Sequence, residues 1–169
     1  MTEKFRTREM TICAMLTAIV CVATMLIVVP SPLKGYMNMG DGVVLLAGWM
    51  LSPGYGFLAA GLGSALADIF SGYVLYAPAT FAIKGTMALV VHFGYKALSA
   101  KGNSLMAKAI PGFFAELVMI LGYLVFEGFL YGFVPSMVNI PANSVQGMAG
   151  LVLGCVLIRM FERHKLRML

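Results

Sequence analysis

"DGVVLLAGWMLSPGYGFLAAGLGSALADIF", residues 41–70, is the stretch whose reading decides the fold. From Gly42 to Phe70 it is apolar almost throughout, yet "SPGYG" at 52–56 cuts it, and Pro-Gly punctuates helices strongly. It reads either as one broken membrane span or as two short spans joined by a tight turn. The choice sets the direction of every element that follows.

The rest of the chain supplies the frame for that choice. It is 60% hydrophobic and 11% charged, with a mean hydropathy of +0.90, whereas a soluble globular chain is about half apolar and roughly a quarter charged. One compact domain, 1–169, is expected at this length. Continuous rather than alternating apolar runs argue against a β-barrel and for an all-α integral membrane protein. Runs of about 20 apolar residues mark spanning helices, and clear ones lie at 10–29, 80–98, 109–133 and 144–161. Lys4, Arg6 and Arg8 precede the first run like a signal peptide. The run exceeds a signal core of roughly 7–15 residues and no A-x-A site follows, so it reads as a retained first span.

Charge settles the middle stretch, because Lys and Arg collect on the cytoplasmic side of short loops. With two middle spans, 42–51 and 55–70, the chain crosses six times and both termini are cytoplasmic. Ten of the twelve basic residues then lie inside: Lys4, Arg6, Arg8, Lys96, Lys101, Lys108, Arg159, Arg163, Lys165 and Arg167. Only Lys34 and Lys84 remain. A single middle span would put the second and third clusters outside, so the expectation is a compact six-helix bundle. The 42–51 segment is too short for the hydrocarbon thickness at about 1.5 Å per residue. It must begin deep, tilt, or borrow residues 38–41. Two inverted halves, the usual plan of a secondary transporter, are not visible.

A lysine inside "APATFAIKGTMALVV", residues 77–91, demands a partner or a task, because a charge at membrane depth costs a few kcal/mol or more. On the six-span reading Asp41, Asp68, Lys84 and Glu127 share the outer half, while Glu116 lies nearer the inner side. Two readings of Lys84 stay open: an ion bridge to Asp68 or Glu127, or a pocket charge facing outward together with Glu127. A pocket charge needs a counter-ion as well. Asp41 has an ordinary alternative as a helix N-terminal cap, and Asp68 as the end of its helix. Tyr36, Asn38, Tyr76, Tyr123, Asn139, Asn143 and Gln146 crowd the same level, and with Lys84 and Glu127 they form the candidate substrate site. Asn143 and Gln146, three apart, share a helix face. Tyr73 and Tyr131 read instead as interfacial belt residues. Amides, rings and a few charges against apolar walls suit a small planar ligand.

Other residues read as structural. His92 is a core histidine without a second metal-ligand residue nearby, and Cys13, Cys21 and Cys155 are packing residues in apolar runs. No metal or cofactor is expected, nor a nucleic-acid partner. There is no G-x-x-x-x-G-K phosphate loop, no H-E-x-x-H and no G-x-S-x-G, so neither ATP hydrolysis by that route nor a nucleophile is proposed. Ala14 and Ala18 mark a flat stripe on the first span, of the small-xxx-small kind that lets helices approach closely.

"AMLTAIVCVATMLI", "MNMGDGVVLLAGWMLSPGYGFLAAGLGSALADIFSGY", "YAPATFAIKG" and "NIPANSVQGMAG" together resemble the substrate-binding S components of energy-coupling factor (ECF) transporters, over nearly the whole chain. The resemblance implies a subunit that binds a vitamin or precursor from outside in a pocket capped by the first loop. It implies docking on a membrane-embedded T component that carries two ATP-binding cassette ATPases, with Ala14 and Ala18 matching the family's docking stripe. "GD" at 40–41, "ALAD" at 65–68 and "APATFAIKG" look like the branch for hydroxymethylpyrimidine, pyridoxine or related small heterocycles. The tryptophan-rich pattern of thiamine-specific members is missing, Trp49 being the single tryptophan.

The expectation is therefore a non-enzymatic capture subunit in the prokaryotic cytoplasmic membrane, taking hydroxymethylpyrimidine first and pyridoxine second. Two alternatives stand beside it: a small membrane enzyme using Asp68, Lys84 and Glu127, and a structural subunit that binds nothing.

Overall fold

A computed structural model describes residues 3–33, 35–99 and 105–163, with side chains from residue 6 onward. Lys34, Lys101, Lys165 and Arg167 of the charge count lie outside the described residues, as does the side chain of Lys4. The chain is helical: α1 (Glu3–Leu26), α2 (Asp41–Met50), α3 (Pro53–Phe70), α4 (Ala77–Ser99), α5 (Leu105–Tyr131), a short α6 (Phe133–Ser136) leading through a 3-10 turn (Met137–Asn139), and α7 (Ile140–Arg163). Between α1 and α2 lies a small antiparallel hairpin of β1 (Val29–Pro30) and β2 (Tyr36–Met37). Most helices outrun the apolar segments that announced them. Hydropathy marks the apolar part of a helix, whereas backbone hydrogen bonding continues through polar turns at either end.

The "SPGYG" break separates two helices. Leu51 ends α2 in extended conformation, Ser52 stands at the N-cap of α3, and Pro53 takes the first helical position, where its missing N–H costs nothing. The turn is held from both sides. Glu9 of α1, itself buried, accepts the Ser52 N–H at 2.7 Å. His92 of α4 pairs its Nδ1 with the Leu51 carbonyl at 2.9 Å, the satisfied histidine expected there.

Pairwise contacts give the helix directions. Along α1 and α3, Cys13 reaches the Tyr55 carbonyl and Val20 lies on Gly63, so both numbers rise together and the helices are parallel. Asp41 meets Lys84 and Leu51 meets His92, which makes α2 and α4 parallel. Asn38 meets Gln146 and Gly42 meets Leu153, so α7 runs the same way. Thr80 with Tyr123 and Gly94 with Pro111 set α5 antiparallel to α4. Hence α1, α3 and α5 run one way, α2, α4 and α7 the other. The start of α1 and the end of α7 share one end of the bundle.

Packing in the bundle depends on bare backbone. A Cβ on Gly63 would stand 2.6 Å from the Thr17 carbonyl, so only glycine lets α1 and α3 approach this closely. Gly132, at φ +93°, turns the chain from α5 into α6 in a region other residues rarely adopt.

The two sides of the helices invert the pattern of a soluble protein. Large apolar side chains such as Met15, Val22, Phe113, Leu121, Met148 and Val152 point outward, while Asp41, Asp68, Lys84, Glu116 and Glu127 are buried. Arg6–Leu26, Leu105–Tyr131 and Phe133–Arg163 are long and apolar enough to cross a membrane by length and composition. α2 needs no lipid contact. Every residue of it except Met50 is buried by its neighbours, which is how a helix about 15 Å long fits a bilayer protein.

A candidate ligand cavity at one end of the bundle

A cavity of about 400 Å³, its open mouth included, lies opposite the chain ends, where α1, α3 and α5 finish and α2, α4 and α7 begin. Thr24 of α1 and Ser64 and Asp68 of α3 line one wall. Tyr76, Thr80 and Lys84 at the head of α4 line the next, with Tyr123 and Glu127 of α5 and Asn143 of α7 facing them. The hairpin covers the top with Ser31, Gly35, Tyr36 and Asn38.

Lys84 and Glu127 both line the cavity, but the ion bridge at its floor is not the one read from the sequence. Lys84, buried to 1% exposure, donates to Asp41 Oδ1, and neither Asp68 nor Glu127 is its ion-pair partner. Parallel packing of α2 on α4 brings the first residue of α2 level with the second turn of α4. Asp41 is correspondingly not a cap: Gly40 holds the N-cap, and the second carboxylate oxygen accepts from Gln146 Nε2 at 2.6 Å. Gln146 in turn accepts the Asn38 N–H at 2.9 Å, so one chain of bonds runs from the cavity floor to the hairpin. Glu116 joins this level rather than the opposite end, because α5 presents it to Gly147 and Gly150 of α7 beside Asp41. It is buried, and neither of its oxygens has a hydrogen-bond partner among the described residues.

Glu127 anchors a second network. Its carboxylate accepts from Asn139 Nδ2 at 2.9 Å and from the Tyr76 hydroxyl at 3.3 Å. Asn139 also takes the Leu33 N–H on Oδ1 and reaches the Leu33 carbonyl, both at 3.2 Å, so it straps the hairpin down. Tyr123 shares a 3.0 Å hydrogen bond with Thr80. Burial, reinforced by Tyr131 and Glu127, raises the Tyr76 phenol above its usual range, so it remains a donor.

Of the nine residues expected at the site, Tyr36, Asn38, Tyr76, Lys84, Tyr123, Glu127 and Asn143 lie on the cavity wall. Asn139 and Gln146 stand behind it and hold the wall in place. Tyr73 does more than sit in a belt: its ring packs on that of Tyr36, centroids 4.6 Å apart. Thr24, Ser31, Ser64, Thr80 and, above all, Asp68 were missed as lining residues. Their signal was there in hydroxyls and an acid at one end of otherwise apolar helices. Tyr36 donates to Asp68 Oδ1 at 2.6 Å, and burial together with that carboxylate holds its phenol above the ordinary range. Ala14 and Ala18 are exposed on the outward face of α1.

An inverted helical bundle with a polar cavity at one end defines a membrane protein equipped to hold a small molecule. The family described as ECF-type riboflavin transporter, S component, matches residues 4–163, and the chain belongs to it. A relative from Pyrococcus woesei, described as "Uncharacterized protein in gap 3'region", is 35% identical over 136 residues, 80% of this chain and 88% of its own length. The solved S component of a bacterial ECF transporter superposes with a TM-score of 0.74 over 94% of this chain and 98% of its own, at 22% identity, and shares the fold. S components of ECF transporters work with a T component and ATPases. An S component is a substrate-binding subunit of a transporter, which is consistent with the non-enzymatic expectation.

Proposed function

We propose that this chain captures a single-ring heterocyclic vitamin precursor, hydroxymethylpyrimidine first and pyridoxine next, in the hairpin-covered cavity, and passes it inward by docking on a T component with two ATPases. The observation that carries the reading is the cavity itself. Its wall is mostly hydroxyls, amides, carboxylates and tyrosine rings, which suits one polar ring. Six crossings of the cytoplasmic membrane, with both termini inside, agree with the shared end of α1 and α7 and with the basic residues there. The exposed Ala14 and Ala18 offer α1 as the docking face. Riboflavin is the second reading, favoured by the description of the matching family.

Calorimetry on the purified chain with hydroxymethylpyrimidine, pyridoxine and riboflavin decides between them. Tight binding of a single-ring compound, without accumulation in liposomes until T component and ATPases are added, is the expected result. Preference for riboflavin would replace the substrate, and concentrative uptake by the isolated chain would remove the capture-subunit reading altogether.

A further inference from the structure

Most strong polar groups around the cavity already have partners within the protein. Lys84 is held by Asp41, Glu127 by Asn139 and Tyr76, and Thr80 by Tyr123. The wall formed by α1 and α3 differs. Asp68 is 3% exposed; Tyr36 occupies its Oδ1 and the Thr80 hydroxyl lies close to the carboxylate, while Oδ2 makes no hydrogen bond of ordinary geometry among the described residues. Ser64, one turn earlier on the same helix face, and Thr24 of α1, whose hydroxyl lies against Gly40, are likewise buried, and neither hydroxyl has a hydrogen-bond partner among the described residues. All three residues line the cavity. A buried carboxylate oxygen left without a donor is expensive, and buried polar groups are ordinarily satisfied. Here three such side chains belong to residues that line one cavity.

Resting on the reading of the cavity as a single-ring vitamin site, we propose that Asp68, with Ser64 one turn away, recognises an exocyclic amino group on the ligand ring and so selects amino-substituted heterocycles over their oxo counterparts. The chemistry follows from the donor and acceptor inventory. A ring amine offers two N–H donors, one for Asp68 Oδ2 and one for a hydroxyl. An oxo group offers only acceptors and would face a carboxylate oxygen at close range. Tyr36 fixes the carboxylate by filling Oδ1, which leaves Oδ2 as the reading atom.

The test compares hydroxymethylpyrimidine, which carries such an amine, with the analogue in which an oxo group replaces it, by calorimetry on the full chain in detergent. A site built to pair a polar group rejects the analogue lacking it strongly, so the unaltered chain should favour the amine by about tenfold or more. Asp68→Asn should reduce that ratio to about threefold or less, since an amide can turn its NH2 toward the oxygen of the analogue. Equal affinities in the unaltered chain, or an unchanged ratio in Asp68→Asn, overturn the assignment while leaving the single-ring reading in place. Binding of riboflavin and of neither pyrimidine overturns both. The comparison on the unaltered chain stands even if Asp68→Asn fails to fold, and Ser64→Ala, expected to weaken the amine a few-fold while keeping the preference, probes the same patch.

Discussion

Replacing Lys84 by methionine tests the ionic floor of the cavity most directly. The pair with Asp41 is among the most enclosed features of the protein: the two side chains are 2% and 0% exposed. Methionine preserves length and apolar stem but removes the ammonium, leaving Asp41 with Gln146 as its remaining side-chain donor. Breaking a buried pair from one side costs about 3–5 kcal/mol, because the surviving charge remains desolvated. At about 1.4 kcal/mol per tenfold, that is roughly two to three and a half decades in the unfolding equilibrium. Removing both charges together should cost far less, since a well-packed apolar replacement of a buried pair is often neutral. The expected pattern for Lys84→Met, Asp41→Leu and the double variant in a detergent unfolding titration is two unstable singles and a double more stable than either. Stabilities that simply add would mean the charges are independent and would refute the reasoning. Ligand affinity of the double variant offers a second readout: if Lys84 organises the floor rather than touching the ligand, affinity recovers with stability.

Asn139→Ala removes the strap between Leu33 and Glu127; ligand dissociation followed by stopped flow should accelerate about tenfold, and an unchanged rate would show that the hairpin is held elsewhere. Ala14→Leu and Ala18→Leu alter only an exposed face, so ligand affinity should stay within about twofold while uptake with the partner subunits is lost. Loss of binding in those variants would place the stripe in folding instead. Gly63→Val drives a side chain into the Thr17 carbonyl and should cost about 1–3 kcal/mol, read as a lowered melting temperature; an unchanged melting temperature would mean that α1 and α3 can separate freely.

What could be read from the sequence depended on how local the signal was. The division of 41–70 into two helices was legible because Ser52, Pro53 and Gly54 act on their own backbone. The helices around it were legible as apolar runs. The partner of Lys84 was not, because spacing along a helix says nothing about which helix lies beside it. Asp41 sits 43 residues away and meets Lys84 only because α2 and α4 run parallel. Glu116 was misplaced for a related reason: depth was counted from the nearest loop, whereas α5 extends to Leu105 and carries it to the level of Asp41. Tyr36, Asn38 and Asn143 were legible as polar residues at the right end of the bundle. Thr24 and Ser64 were passed over because single hydroxyls inside apolar helices are common and gain meaning only from a shared wall.

The enclosure of α2 also bears on how the protein is made. Ten residues beginning with an aspartate are a poor segment to release into lipid alone, and α3, α4 and α7, which cover most of it, are synthesised after it. Lys84 arrives with α4, but Gln146 and the face that packs on Gly42 belong to α7, which leaves the ribosome after all the other described helices. Until then Asp41 lacks half of its final bonds. The carboxylate beneath the cavity is thus completed only by α7, which makes assembly of this bundle a closing step rather than a sequential one. A nascent chain stopped before α7 would be the form most exposed to membrane quality control.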